Sequence, residues 1–228
     1  MPAIKLKGIS KTYGNLSALH EVSFELESGA FLFVCGPNGA GKTTLLEIIC
    51  SLKRPSAGST QVFGKSLPFE KAADLAKIGA AFSHSFLYPD MTVRENLTFW
   101  GRLYGVSDLS LKVDGLMDEF DLAGKRDTLV KNLSSGLEKR ASIARALVGN
   151  PDLIVMDEPL NALDDRSRRV FSSYMAGMKS KGRTAIFTGH EPEAVGALAS
   201  HALVLVNGRM DFFGDISRGL ERVKDLKT

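Results

Sequence analysis

Two cysteines, no long apolar run and almost no net charge are what this 228-residue chain offers where many functional classes need more. Cys35 and Cys50 have neither metal-ligand spacing nor the numbers of a disulfide framework, so buried, reduced thiols are expected, which favours the cytosol. The balance of 29 Lys+Arg against 26 Asp+Glu leaves +3, too slight for the basic footprint of a dedicated nucleic-acid binder. No nucleic-acid partner is therefore expected. No apolar stretch reaches the roughly 20 residues that cross a bilayer, and Met1-Pro2-Ala3-Ile4-Lys5-Leu6 lacks the apolar core of a signal peptide. Any membrane role is expected to be peripheral. The length suits one domain with an inserted subdomain and an ample core.

Against this plain background one segment stands out. Gly36 to Thr43 read G-P-N-G-A-G-K-T, between the apolar run Phe31-Leu32-Phe33-Val34-Cys35 and the helix-like Thr44-Leu45-Leu46-Glu47-Ile48-Ile49. Glycines let the chain curl until successive N–H groups point inward, and the following helix presents its positive end to the same place. Lys42 is placed to reach the outer phosphates of a nucleoside triphosphate, and Thr43 to ligate Mg²⁺.

The rest of the chain divides into three stretches. Ala3-Ile4-Lys5-Leu6 and Val22-Ser23-Phe24-Glu25-Leu26 alternate apolar and polar residues, as half-buried antiparallel strands do, with turns at Gly14-Asn15 and Ser28-Gly29. From about Thr92 to Leu147 the spacing becomes helical, with Val93, Leu97, Trp100, Leu103 and Tyr104 on one stripe and Leu116, Met117, Phe120 and Leu122 on another. An inserted helical subdomain at about 88–148 is predicted, its aromatics serving as core. After Asn150-Pro151, the runs 153–156, 184–188 and 202–206 suit parallel strands buried on both faces. Residues 211–228 read as a short helical tail, so that 1–228 form one α/β domain.

The run Leu153-Ile154-Val155-Met156 ends in Asp157-Glu158-Pro159. Side chains alternate along a strand, so the two carboxylates point apart and can hold different tasks. One can organise Mg²⁺, directly or through water; the other can orient and deprotonate the water that attacks a γ-phosphate.

Leu133-Ser134-Ser135-Gly136-Leu137-Glu138-Lys139-Arg140, followed by the helix-like 141–147, adds a third motif, and with it the chain resembles the nucleotide-binding subunit of an ABC transporter. The motif order holds from about Ile4 to Met210, through the turn Asn161-Ala162-Leu163-Asp164 and His190. The nearest pattern is that of export cassettes, including the haem-export ATPases of cytochrome c maturation. The resemblance implies a P-loop NTPase of ABC type: a parallel core sheet, an N-terminal antiparallel β layer and the inserted helical subdomain. It also implies ATP and Mg²⁺, integral membrane transporter subunits as partners, and a second cassette, identical or related. The implied location is the cytoplasmic face of the membrane.

Residue roles come from the same resemblance. Gly36, Pro37, Asn38, Gly39, Ala40, Gly41, Lys42, Thr43 and Thr44 hold the phosphates, and Tyr13 stacks on adenine. Ser134, Ser135 and Gly136 close over the nucleotide of the facing cassette. Glu158 is the catalytic base, His190 positions the γ-phosphate and water, and Lys42 stabilises charge. Thr43 and Asp157 serve the metal. Two departures touch these roles. Ser135 and Leu137 stand where the family has glycine and glutamine, and Ser83 takes the register of a loop glutamine near the metal, with His84 beside it as the longer substitute. Two other readings remain: a nucleotide-sensing cassette with weak hydrolysis, and a soluble ATPase acting on nucleic acid or ribosomes.

Overall fold

The computed structural model describes residues 1–189 and 198–225. In chain order the strands and helices are β1 (Pro2–Tyr13), β2 (Leu16–Glu27), β3 (Phe31–Cys35), α1 (Lys42–Ile49), β4 (Ala57–Val62), β5 (Lys65–Ser66), α2 (Ala72–Leu75) and β6 (Ile78–Ala81). They continue with α3 (Val93–Leu103), α4 (Leu109–Glu119), α5 (Ser135–Leu147), β7 (Leu153–Met156), α6 (Asp165–Ser180), β8 (Thr184–Thr188), β9 (His201–Val206), β10 (Arg209–Asp215) and α7 (Ile216–Asp225).

Two sheets result. The first, ordered β2-β1-β4-β5, is antiparallel throughout and forms the N-terminal layer. The second is ordered β10-β9-β3-β8-β7-β6, with parallel pairing from β9 to β6 and an antiparallel edge at β10.

Alternation along the second sheet builds a core on each face. Phe31, Phe33, Ile154, Met156 and Phe187 join Val93, Leu97, Leu116 and Phe171 of the helices. Leu32, Val34, Leu153, Val155 and Ile186 meet Ile4, Leu6, Val22 and Leu45 on the other side. Each such side chain, fully buried, contributes roughly 1.5–3 kcal/mol. Their removal from water on both sides is why these strands are unbroken apolar runs rather than alternating ones.

Three details depart from the sequence-based expectation. The tail begins as a strand, because Phe212 and Phe213 pair with Val204 and Leu203 of β9 and the Phe213 ring packs tilted against Phe24 with centroids 5.1 Å apart; the helix starts only at Ile216. Leu103 is 63% exposed rather than core, whereas Val93 and Leu97 are fully buried. The short strand β6 was not among the predicted ones. Its Gly79 is required because a Cβ there would lie 2.2 Å from the Ala146 carbonyl oxygen, so β6 seats directly against α5.

Helix starts obey local chemistry. At α3 the Thr92 hydroxyl accepts from Glu95 N–H at 3.1 Å, while the Glu95 carboxylate accepts from Thr92 N–H at 2.7 Å. At α6 the Asp164 carboxylate accepts from Ser167 N–H at 2.8 Å, and that bond holds its pKa below the usual carboxylate range.

Candidate nucleotide site

The carboxyl ends of parallel strands are where ligands bind in open α/β sheets. Here β3 delivers the 36–43 loop to that edge, β7 delivers Asp157-Glu158, and β8 runs between them. The loop geometry depends on glycine. Gly36, Gly39 and Gly41 have φ of 142°, 78° and 96°, and a Cβ would lie 2.0 Å from the Leu205 carbonyl oxygen at Gly36 and 2.4 Å from that of Ala18 at Gly41. Pro37, Asn38 and Gly39 form the exposed tip, and Ala40 is buried beneath.

Unlike α3, α5 and α6, helix α1 has no side-chain cap. Its first N–H groups are thus open to an anion, which fits a phosphate. Lys42 is buried, and its ammonium donates to the carbonyl oxygens of Gly36 at 2.9 Å and Pro37 at 3.0 Å. Burial lowers its pKa, opposed by the carboxylates of Glu158 and Asp157. Burial likewise pushes the neighbouring Cys35 thiol up to about 12, against the pull of Lys42, so it stays neutral and unreactive.

The loop and the acid pair are joined directly. The Thr43 hydroxyl donates to Asp157 Oδ2 at 2.8 Å, while the Thr188 hydroxyl donates to Asp157 Oδ1. A hydroxyl and a carboxylate side by side form the hard oxygen donor set that suits Mg²⁺ when phosphates and water complete its shell. Among the described residues no cluster of three or more His, Cys, Asp or Glu offers an all-protein metal cage.

Glu158 lies just past the end of β7, so strand alternation does not set its direction. Its φ of 48° is left-handed, its N–H donates to the Thr188 hydroxyl at 2.9 Å, and its carboxylate accepts from the Asn161 amide. It borders a cavity of 270 Å³ together with Ser83, Ser135, Lys139, Asp157 and Asn161. Lys139 donates to the Asp157 carbonyl oxygen at 3.2 Å, and burial lowers its pKa against the two carboxylates.

The remaining predicted residues are spread around this edge. Tyr13 is exposed, with the ammonium groups of Lys11 and Lys53 each 5.2 Å from its ring centre. Ser83 lines the cavity beside the acid pair, whereas the His84 ring packs edge-on against Phe86 at 5.0 Å. Ser134 caps α5, its hydroxyl accepting from Leu137 N–H at 3.4 Å, and Gly136 passes so close to Ala162 that a Cβ would lie 3.0 Å from its carbonyl oxygen. Ser135 and Thr44 complete the two helix starts. His190 lies outside the described residues.

Thr188 and Lys139 were not singled out from the sequence. A hydroxyl ending the otherwise apolar run Ala185-Ile186-Phe187 was the available signal for Thr188. Lys139 gave none.

A model of the ABC transporter family matches residues 19–161. The chain belongs to the ABC transporter family. It is the ATP-hydrolysing cassette of that family, and its likeness to individual members is broad. It is 34% identical over 209 residues to Nod factor export ATP-binding protein I of Paraburkholderia xenovorans, covering 91% of this chain and 69% of that protein. It is 33% identical over 210 residues to the protein of the same name from Ralstonia nicotianae, covering 91% and 65%. The chain thus spans about two thirds of the length of these relatives. A dimeric ATP-binding cassette in a post-hydrolysis state with ADP and Pi superposes with a TM-score of 0.85 at 26% identity, over 93% of this chain and 98% of that one.

Proposed function

We propose that this cassette hydrolyses MgATP at an interface with a second cassette and thereby drives an exporter built from separate integral membrane subunits, at the cytoplasmic face of the membrane. The observation that carries the proposal is the bond from Thr43 to Asp157, which fastens the phosphate loop to the acid pair at one strand edge. In this reading the Lys42 ammonium exchanges the carbonyls of Gly36 and Pro37 for the outer phosphate oxygens, and the open start of α1 holds the remainder. Tyr13 offers a stacking face to the base. Thr43 and Asp157 hold Mg²⁺, which supplies charge neutralisation on the phosphates when bound. Glu158 accepts the proton of the attacking water, and Asn161 fixes the direction of its carboxylate. His190 is assigned to orient that water by its place in the motif order.

Neither chain completes the site alone. Ser134, Ser135 and Gly136 sit at the start of α5, and Ser134 and Ser135 are exposed. There they can meet the triphosphate of a facing cassette. Association with membrane subunits is supported by a groove of 510 Å³ lined mainly by apolar side chains, among them Leu52, Leu75, Phe86, Trp100 and Leu103, with the buried Arg145 guanidinium and Tyr104 also on its wall. No helix among the described residues is long and apolar enough to cross a membrane, so a pore belongs to other subunits in this reading. Export is favoured because the Paraburkholderia and Ralstonia relatives are named for it, and their cargo, Nod factor, is one candidate class.

Glu158→Gln tests the assignment. Removing the base should lower turnover by about 10² to 10⁴ with ATP still bound. Unchanged turnover refutes Glu158 as the base. Phosphate release that never exceeds the Lys42→Ala background, with or without membrane subunits, would instead favour a nucleotide sensor.

A further inference from the structure

Helix α5 faces two ways. Its start carries Ser134 and Gly136, and Lys139, just beyond them, turns into this chain's own cavity. The Lys139 ammonium donates to the Asp157 carbonyl oxygen at 3.2 Å, and the other end of the same peptide unit, Glu158 N–H, donates to the Thr188 hydroxyl at 2.9 Å. The peptide between Asp157 and Glu158 is therefore held from one side by α5 and from the other by β8. Glu158 itself is left-handed at φ 48°, a conformation that surrounding contacts must hold in place. Gly136 at the start of α5 lies close to the loop that follows the acid pair, where a Cβ would come within 3.0 Å of the Ala162 carbonyl oxygen.

We propose that Lys139 is a positioning residue that ties the helix end serving the facing cassette to this chain's own catalytic base. The inference rests on reading Glu158 as the base and the start of α5 as the surface that meets a facing nucleotide. The ammonium-to-carbonyl bond is charge-assisted and half-buried, so it is stronger than a solvated one. Ser134, by contrast, is bound to its own helix by a long 3.4 Å contact that a phosphate ligand can replace. Fixing the start of α5 on a facing nucleotide fixes Lys139, which sets the Asp157-Glu158 peptide and hence the direction of the Glu158 carboxylate. Each chain thus reports the state of one nucleotide to the base acting on the other.

The test uses the full chain in complex with its membrane subunits and compares Lys139→Met, Lys139→Ala and Lys139→Arg. Loss of one charge-assisted bond to the peptide predicts turnover lowered about tenfold in Lys139→Met and Lys139→Ala, with MgATP affinity within about twofold of wild type. Lys139→Arg, which restores a cationic donor, should recover most of the rate. Lys139→Met keeps the aliphatic stem and carries the test if Lys139→Ala does not fold. Turnover within about twofold of wild type in Lys139→Met, an equal loss in Lys139→Arg, or a loss explained by weaker ATP binding would each overturn the inference. Glu158→Gln in the same complex separates the two levels. If it turns over normally, the reading of the site fails; if it is inactive while Lys139→Met is not, only the role of Lys139 falls.

Discussion

Thr188→Val is the sharpest probe of how the site is built, because it removes one hydroxyl while keeping shape. Thr188 is fully buried at the end of β8, where its hydroxyl donates to Asp157 Oδ1 and accepts from Glu158 N–H. Valine ends both bonds. A lost bond to a charged carboxylate costs about 1.5–3 kcal/mol, and an N–H left without a partner costs about 1–3 kcal/mol. The two share one hydroxyl and are not additive, so a net loss of about 2–4 kcal/mol is expected. For a chain of this size each kcal/mol lowers Tm by roughly 2–4 °C, which predicts a fall of about 4–16 °C by calorimetry. Turnover, measured by phosphate release, should fall by more than about tenfold, since the Asp157 carboxylate and the Glu158 backbone lose their shared anchor. Thr188→Ser should retain most of both properties. A valine variant that melts within about 2 °C of wild type and keeps its turnover would refute the claim that β8 organises the acid pair.

Other consequences can be checked separately. Gly36→Ala places a Cβ 2.0 Å from the Leu205 carbonyl oxygen at a φ of 142°, so the variant should lose nucleotide binding and be destabilised by several kcal/mol, read by calorimetry and ATP titration. Glu95 accepts from the Thr92 backbone N–H and caps α3 with the Thr92 hydroxyl, which holds its pKa below the usual range. Its folded pKa lies under the unfolded value of about 4.3, so its stabilisation is present above that value and lost as pH falls through the folded pKa. The gap in denaturation midpoint between wild type and Glu95→Gln should therefore be widest near neutral pH and close in acid; a gap that does not change with pH contradicts this. Glu158→Gln and the Lys139 series complete the set.

Legibility from sequence tracked the range of the interactions involved. The phosphate loop could be read because its chemistry is contiguous: glycines, Lys42 and Thr43 act within one turn. The parallel strands β3, β7, β8 and β9 were visible as apolar runs, since burial on both faces leaves no polar alternation, whereas β6, made of Ile78 and the small residues Gly79, Ala80 and Ala81, was not. The tail was misread because Phe212 and Phe213 gain their meaning only from β9 and Phe24. Thr188 and Lys139 escaped for the same reason. Their partners lie 31 and 18 residues away, brought together by the placing of β8 between β3 and β7 and by the seating of α5 on β6. Ser83 and His84 stood one residue apart in an undecided loop register. Ser83 borders the acid-pair cavity, and His84 spends its ring on Phe86.

The central claim is that a triphosphate is shared between the Lys42 loop of one cassette and the α5 start of another. A structure of Glu158→Gln protein in complex with its membrane subunits, second cassette and MgATP tests it most directly. The account predicts a γ-phosphate contacted by Lys42 on one side and by Ser134 and Gly136 from the facing cassette on the other. Bound nucleotide whose γ-phosphate meets solvent where α5 should stand, with Ser134 still capping its own helix, would contradict it.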